Sequence, residues 1–135
     1  MAEKIIMVSG KKKSSVAKVR IEEGTGNVTY NQLPYGELGT FQKLALEEPI
    51  AIYKESLGDF KFNIKIKTVG GGKEAQIQAA RLGIAKALVK FTNNLDLKKA
   101  FLKYDRNMLV ADVRKKEACK PGDSKARAKR QTSYR

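Results

Sequence analysis

The sequence predicts an α+β domain in which helices pack on one face of a mostly antiparallel sheet. The clearest strand is residues 59–69, where Phe62, Ile64 and Ile66 alternate with polar residues, the period of a half-buried strand. The clearest helix follows at residues 73–91, where apolar residues recur at three- and four-residue steps. Strands and helices do not alternate strictly along the chain, so a parallel arrangement is not favoured.

The N-terminal part of the chain predicts strands. Residues 4–8 are a short apolar run and predict a strand, and residues 9–13 predict a polar loop. From Ser14 onward apolar and basic residues alternate, which indicates a second, half-buried strand. A glycine-rich turn at 24–27 then predicts that residues 28–32 return as the hairpin partner of that strand.

The remaining elements are shorter. Residues 37–47 have apolar residues at roughly helical spacing, and Pro49 predicts an interruption because the residue before a proline is disfavoured in the helical region. Residues 50–56 fit either a helix or a strand. A short helix is expected at 95–103 and a final strand at 107–113.

The positive charge of the chain is concentrated at its two ends. The 135 residues carry a net charge of +14, of which residues 1–20 hold +5 and residues 114–135 hold +7. After Val113 there is no large aliphatic residue, so the second segment cannot offset its ordering entropy by apolar burial. We therefore predict a globular domain at 1–113 and an extended basic arm at 114–135 that orders on a polyanion, RNA being favoured.

Several further features suit phosphate binding. The three glycines at 70–72 leave backbone amides at the following helix start open to a phosphate, although a tight turn without a ligand explains them equally well. On that helix Ala79, Gly83, Lys86 and Lys90 share one strip, which fits a groove for a phosphate backbone. Packing of the small residues against another element, with solvated lysines, is the alternative.

Other basic residues leave the same choice open. The lysines at 11–13 could meet one stretch of nucleic acid backbone, or form a solubilising loop. The lysines at positions 61, 65 and 67 are interpreted as protection of an edge strand against sheet pairing.

Catalysis, metals and membranes are poorly supported. The chain has no histidine, and its single cysteine, Cys119, excludes an internal disulfide and suits a reducing compartment. We expect no enzyme activity, no cofactor and no metal site of the Cys/His kind. The apolar run at 5–8 is too short for a signal peptide, so a cytoplasmic protein without a membrane partner is expected. The alternatives are a nucleotide-using enzyme, a free non-specific RNA- or DNA-binding regulator and a polybasic membrane tail.

Three segments resemble one family. Residues 9–19, the run at 70–88 with its triple glycine and a glutamine four residues later, and the basic ending at 125–135 are similar to the universal small-ribosomal-subunit protein family S-nine. The ending Tyr134 and Arg135 resembles the archaeal and eukaryotic branch. The resemblance implies a fold like the second domain of ribosomal protein S-five.

The same resemblance implies a place for the protein and roles for its residues. It implies a cytoplasmic ribosome, the head of the small subunit, the 3′ major domain of its rRNA, neighbouring ribosomal proteins, and an arm that reaches the peptidyl-site tRNA. Together with the basic residues above, the predicted rRNA contacts are Lys11, Lys12, Lys13, Gly70, Gly71, Gly72, Lys73, Gln76, Arg81, Lys86, Lys90, Lys125, Arg127 and Lys129. The residues predicted nearest the tRNA are Arg130, Tyr134 and Arg135.

Overall fold

The computed structural model describes residues 4–122, 125–129 and 133–134, and it has a mixed α+β architecture, as predicted. Five strands and three helices follow one another along the chain, with short 3-10 turns at Tyr35–Glu37 and Arg106–Met108. The strands are β1 (Ile6–Lys12), β2 (Ser15–Glu23), β3 (Val28–Tyr30), β4 (Leu33–Pro34) and β5 (Phe62–Val69). The helices are α1 (Thr40–Leu57), α2 (Lys73–Thr92) and α3 (Leu95–Tyr104).

The sheet has the order β1-β2-β5-β3-β4, and every pair is antiparallel except β3 with β5. The prediction that residues 28–32 form a hairpin with β2 is wrong, because β5 occupies that edge of β2 along its whole length. The turn before β3 is held instead by Asn63 of β5, whose Oδ1 accepts from the backbone N–H of Thr25 at 3.1 Å and of Asn27 at 3.2 Å. These bonds direct β3 to the far side of β5.

The two faces of the sheet differ in chemistry. One face packs against the helices, and its central residues Val19, Ile21, Ile64 and Ile66 are at most 3% exposed. The other face carries no helix, and we call it the open face. By alternation and register it presents Met7, Ser9, Lys11, Val16, Lys18, Arg20, Glu22, Thr29, Asn63, Lys65, Lys67 and Val69. The period of two in the sequence therefore assigned the faces of β2 and β5 correctly.

Helix α2 lies at the centre of the core and is buried on most of its surface. Gly83 and Ala79 face the sheet, where a Cβ on Gly83 would lie 2.5 Å from Cγ2 of Val19. Strand β1 contributes Gly10, on which a Cβ would lie 2.1 Å from the carbonyl oxygen of Ala79. Of the two interpretations that the sequence left open for this strip, packing of the small residues is confirmed, because Ala79 and Gly83 let helix and sheet approach closely, and a groove for a phosphate backbone is excluded there.

Helix α1 continues through Pro49, so the predicted interruption is wrong. An internal proline costs about 3 kcal/mol. However, Leu46, Pro49, Ile50 and Tyr53 recur at helical spacing and are all buried, and burying each large apolar side chain is worth about 1.5–3 kcal/mol. Burial of one continuous apolar stripe therefore outweighs the local penalty.

The chain around β1 also differs from expectation. Residues 9–12 continue β1 rather than forming a loop, because they pair with β2 up to a two-residue turn at Lys13 and Ser14. Residues 107–113 contain no strand; the backbone N–H of Asp112 donates to the carbonyl of Lys11 at 3.2 Å, and this single bond is not a ladder. The boundary placed at residue 113 stays a prediction.

Candidate nucleic acid interface

The triple-glycine turn between β5 and α2 is closed tightly from within. Gly70 and Gly71 have φ values of 80° and 64°, which a side chain would strain. A Cβ on Gly71 would lie 2.0 Å from Oγ of Ser15, and that hydroxyl donates to the carbonyl of Gly70 at 2.9 Å. A tight turn therefore explains these two glycines, whereas Gly72 has open space around it.

Gln76 also belongs to this turn. Its Nε2 donates to the carbonyl of Gly70 at 3.0 Å, and its Oε1 accepts from the hydroxyl of Thr68 at 3.3 Å. Thr68 in turn lies 3.1 Å from the hydroxyl of Tyr30 and accepts from Asn31 at 3.0 Å. The glutamine of the signature thus fixes the end of β5 to the start of α2, and its contact with rRNA stays a prediction.

The start of α2 remains open to an anion. Gly72 is its N-cap and provides no side chain to accept from the first-turn amides. The positive end of the helix dipole lies here, and the exposed Lys73 is the first helical residue. The carboxylate of Glu74 in the same turn interacts favourably with the positive end of the helix dipole. Its negative charge also makes this end of the helix less attractive to a phosphate.

The fold brings three basic segments to this end of the domain. The turn residue Ser14 touches the glycine turn, since a Cβ on Gly70 would lie 2.7 Å from the Ser14 carbonyl oxygen. A cavity of about 440 Å³ is lined by Lys13, Ser14, Arg114, Lys115 and Lys116, which joins the β1–β2 turn to the beginning of the arm. We call Lys13, Lys73, Arg114, Lys115 and Lys116 the basic end.

Asp112 contacts both the first residue of the arm and Lys12 of β1. Its carboxylate accepts from Nη2 of Arg114 at 2.8 Å and from the backbone N–H of Arg114 at 3.0 Å, and Nζ of Lys12 lies 3.7 Å away. The side-chain hydrogen bond from Arg114 is the main reason why the pKa of Asp112 lies far below its ordinary range. The carboxylate is therefore ionised at neutral pH and holds Arg114 against the domain.

The lysines at 11–13 do not form one cluster. Lys11 lies on the open face, Lys12 points to the helix side and pairs with Asp112, and Lys13 occupies the turn with φ of 53°. Their contacts with rRNA stay predictions, and they would reach different stretches of RNA. The interpretation of Lys65 and Lys67 as edge protection is wrong, because β5 lies between β2 and β3 inside the sheet.

Arg81 is engaged within the protein. Its Nη2 lies 2.5 Å from Oε2 of Glu48 on α1, and its Nη1 lies 3.4 Å from Oδ2 of Asp105 after α3. The side chain is 15% exposed. In the free protein Arg81 therefore ties three segments together, and a contact with rRNA would require these pairs to open.

Lys86 and Lys90 lie apart from the basic end. They share a cavity of about 350 Å³ with Lys98 of α3, near the end of α2, and the 20-residue helix separates this cavity from the glycine turn. Sequence reasoning missed Lys98 because the turn at Asn93, which has φ of 50°, determines how α3 folds back on α2. It also missed the combination of Lys18 with Lys67, which depends on β2 and β5 being neighbours.

The described residues of the arm belong to no helix or strand, and all of them except the half-buried Ala126 are exposed. Arg127 forms an ion pair with Glu117 at 2.8 Å, but its side chain is 88% exposed. Lys125 and Lys129 are exposed, and so is Tyr134. The predicted tRNA contacts Arg130 and Arg135 lie outside the described residues.

In the part of the chain that the structure describes, there is no group of three or more histidine, cysteine or carboxylate residues suited to a metal ion. No described helix is long and apolar enough to span a membrane.

The fold and the basic end define a small basic α+β protein of the nucleic-acid-binding class. A family model described as ribosomal protein S9/S16 matches residues 10–135. A small ribosomal subunit protein uS9 of Methanococcus maripaludis strain C5 is 38% identical over 135 residues, covering 98% of this chain and 99% of its own. The uS9 protein of Methanococcus vannielii is 37% identical with the same coverage.

The chain belongs to the ribosomal protein S9/S16 family, which confirms the resemblance seen in its sequence. Relatives from the archaeal genus Methanococcus agree with the expected archaeal and eukaryotic branch. Ribosomal protein S9 is a structural, non-enzymatic protein of the small ribosomal subunit, which removes the alternative of a nucleotide-using enzyme and supports the expected location of this chain in the cytoplasmic ribosome.

Proposed function

We propose that this protein is a structural constituent of the small ribosomal subunit that binds the rRNA of the subunit head. The basic end docks on the 3′ major domain, and the arm continues to the peptidyl-site tRNA. The observation that carries the proposal is that the β1–β2 turn, the open start of α2 and the origin of the arm meet at one end of the domain.

The proposed chemistry is neutralisation of phosphates by ammonium and guanidinium groups. Each phosphate contact releases condensed counterions, which gives affinity and a steep dependence on salt. The backbone amides at the start of α2 add an uncharged phosphate site beside Lys73. Such contacts position the protein on RNA without reading its sequence.

The arm supplies the tRNA part of the proposal. Its described residues lie outside the helices and strands and contribute nothing to the buried core, so we expect it to order in an RNA-lined channel. The planar guanidinium group of arginine suits bidentate hydrogen bonding to phosphate and stacking on bases. We therefore assign Arg127, Arg130 and Arg135 to the part of the arm that contacts RNA. Tyr134 is 92% exposed and is available for stacking.

Deletion of residues 125–135 tests the role of the arm. None of the described residues of this segment belongs to the buried core, so the domain should keep its thermal midpoint, and the mutant should enter small subunits. The dissociation rate of tRNA from the peptidyl site of reconstituted subunits should increase. A matched variant, Arg130→Gln with Arg135→Gln, keeps the length of the arm and tests whether charge is responsible. An unchanged dissociation rate in the deletion mutant would refute the role of the arm.

Binding to the subunit itself is tested separately. Co-sedimentation of the protein with small subunits in high salt distinguishes an integral constituent from a free, non-specific nucleic acid binder, which would be washed off. A photoreactive residue at position 135 in translating subunits, followed by sequencing of the attached RNA, identifies what the end of the arm reaches. Crosslinks outside tRNA and the decoding region would contradict the proposed path.

A further inference from the structure

The open face of the sheet has an unusual arrangement of like charges. In the register of β2 with β5, Lys18 lies directly opposite Lys67, and Arg20 lies directly opposite Lys65. Two adjacent cross-strand pairs therefore consist of cations, and like charges in such pairs destabilise a sheet. Folding by itself does not favour this arrangement.

One carboxylate partly compensates the four cations. Glu22 pairs with Nη2 of Arg20 at 3.0 Å and with Nζ of Lys65 at 3.4 Å, which occupies both of its oxygens. Among the described residues, Lys18 and Lys67 have no ion pair, and Nε of Arg20 has no hydrogen-bond partner. The open face thus carries a net charge of about +3 in this region, greatest around Lys18 and Lys67.

The position of the uncompensated pair connects it to the basic end. Lys67 lies three residues before Gly70, and Lys18 lies four residues after Ser14, so both approach the glycine turn and the β1–β2 turn. Lys11 lies on the same face at that end of β1. A shallow cleft of about 670 Å³ on this face is lined by Met7, Lys18, Arg20, Thr29, Lys65 and Lys67. The basic surface therefore continues from the end of the domain onto the sheet.

The side chains of this face also indicate how a partner would bind. Its strand residues, all of which the structure describes, include no aromatic side chain on which a base could stack. Cations repeat along β2 and β5 at the two-residue step of a strand, about 6.5 Å, and across neighbouring strands at about 4.8 Å. A regular array of ammonium and guanidinium groups on the sheet suits a phosphodiester backbone, and a strand of phosphates matches the extent of this array better than a single anion does.

We propose that the open face is a second RNA-binding surface, on which Lys18, Lys67, Arg20 and Lys65 hold a phosphate backbone that passes on to the basic end. This inference rests on the proposed function, because it assigns a further contact surface to the same rRNA-binding protein. It assigns the face to RNA and not to an acidic protein segment.

The test uses the full chain with Lys18→Gln and Lys67→Gln together, and a transcript of the 3′ major domain as the probe. Affinity should fall about tenfold near physiological salt, and the slope of log affinity against log salt should decrease in magnitude by about 1–2, one for each lost phosphate contact. Thermal stability should stay the same or rise, because the variant removes a repulsive pair.

A matched control removes the same charge elsewhere. The control is Lys54→Gln with Lys61→Gln, two residues that lie at the opposite end of β5, beside Gly58 and Asp59. This variant should change the affinity for the transcript by no more than about threefold. If the wild type binds the transcript and the Lys18→Gln, Lys67→Gln variant binds it no more weakly than the control variant does, the open-face inference is overturned and the proposed function stands. If the wild type does not bind the transcript, the proposed function fails as well.

A second measurement distinguishes RNA from protein as the occupant. A photoreactive residue at Thr29, which lies on this face beside the cationic pairs, is introduced into the full chain and assembled into subunits. A crosslink to rRNA supports the inference. A crosslink to a protein, or the absence of any crosslink to RNA, overturns it.

Discussion

Gly10→Ala tests the close approach of helix and sheet that positions the whole domain. Gly10 is buried in β1 under α2. A Cβ at this position would lie 2.1 Å from the carbonyl oxygen of Ala79 and 2.7 Å from the backbone nitrogen of Gly83. Both neighbours are backbone atoms of the central helix, so no side-chain rotation can relieve the contact.

The size of the effect follows from this geometry. The contact with the Ala79 oxygen is more than 1 Å shorter than an ordinary contact of 3.4 Å or more, so α2 must move away from the sheet. Overpacking of a core costs about 1–3 kcal/mol. We expect about 3 kcal/mol, the upper end, because moving the helix also disturbs the packing of Ile84 and Leu88. For a domain of this size the loss lowers the thermal midpoint by about 10 °C.

The assay is chemical and thermal unfolding followed by circular dichroism, with Gly36→Ala as the control. A Cβ on Gly36 meets nothing within 4 Å, so this variant should stay within about 0.5 kcal/mol of the wild type. A Gly10→Ala protein as stable as the control would show that helix and sheet are not in backbone contact, and the explanation of Gly83 would fail with it.

Three other substitutions follow from the site. Gly71→Ala should lose about 2 kcal/mol, because it combines a positive φ with a clash against Oγ of Ser15, whereas Gly72→Ala should be nearly neutral; urea unfolding measures both. Asp112→Asn should destabilise the attachment of Arg114 at neutral pH. Because the folded-state pKa of Asp112 is depressed, this contribution is present above its ordinary value of 3.8 and is lost at lower pH. The unfolding midpoints of variant and wild type should therefore approach each other progressively as the pH falls below 3.8, and a gap independent of pH would contradict this.

Periodicity in the sequence correctly predicted those helices and strands whose pattern of apolar residues is set within the segment itself. The alternation along β5 and the three- and four-residue steps along α2 follow from covalent geometry, so the buried face of β5 and the main apolar stripe of α2 were assigned correctly. Ala79 and Gly83, which lie opposite that stripe in the sequence pattern, are buried as well because the sheet packs on them. The basic ends and the nearly neutral body were equally readable, since charge is a property of composition. These features could be predicted without knowing which other segments of the chain pack beside them.

Long-range packing decided the cases that were predicted wrongly. Pro49 remains in a helix because one buried stripe runs through it, and residues 9–12 extend β1 because β2 lies beside them. A local rule expresses a preference of about 3 kcal/mol or less, and the burial of several side chains exceeds it.

The sequence by itself determined that this is a basic α+β protein with cationic side chains concentrated at its termini, and it contained the signature of the family. The tertiary structure decided which basic residues act together. It joined the β1–β2 turn to the origin of the arm, placed Arg81 among carboxylates, and set Lys18 opposite Lys67. The physical reason is that charge and periodicity are encoded residue by residue, whereas the distance between two cations depends on strand order and helix packing, which arise only when distant segments meet.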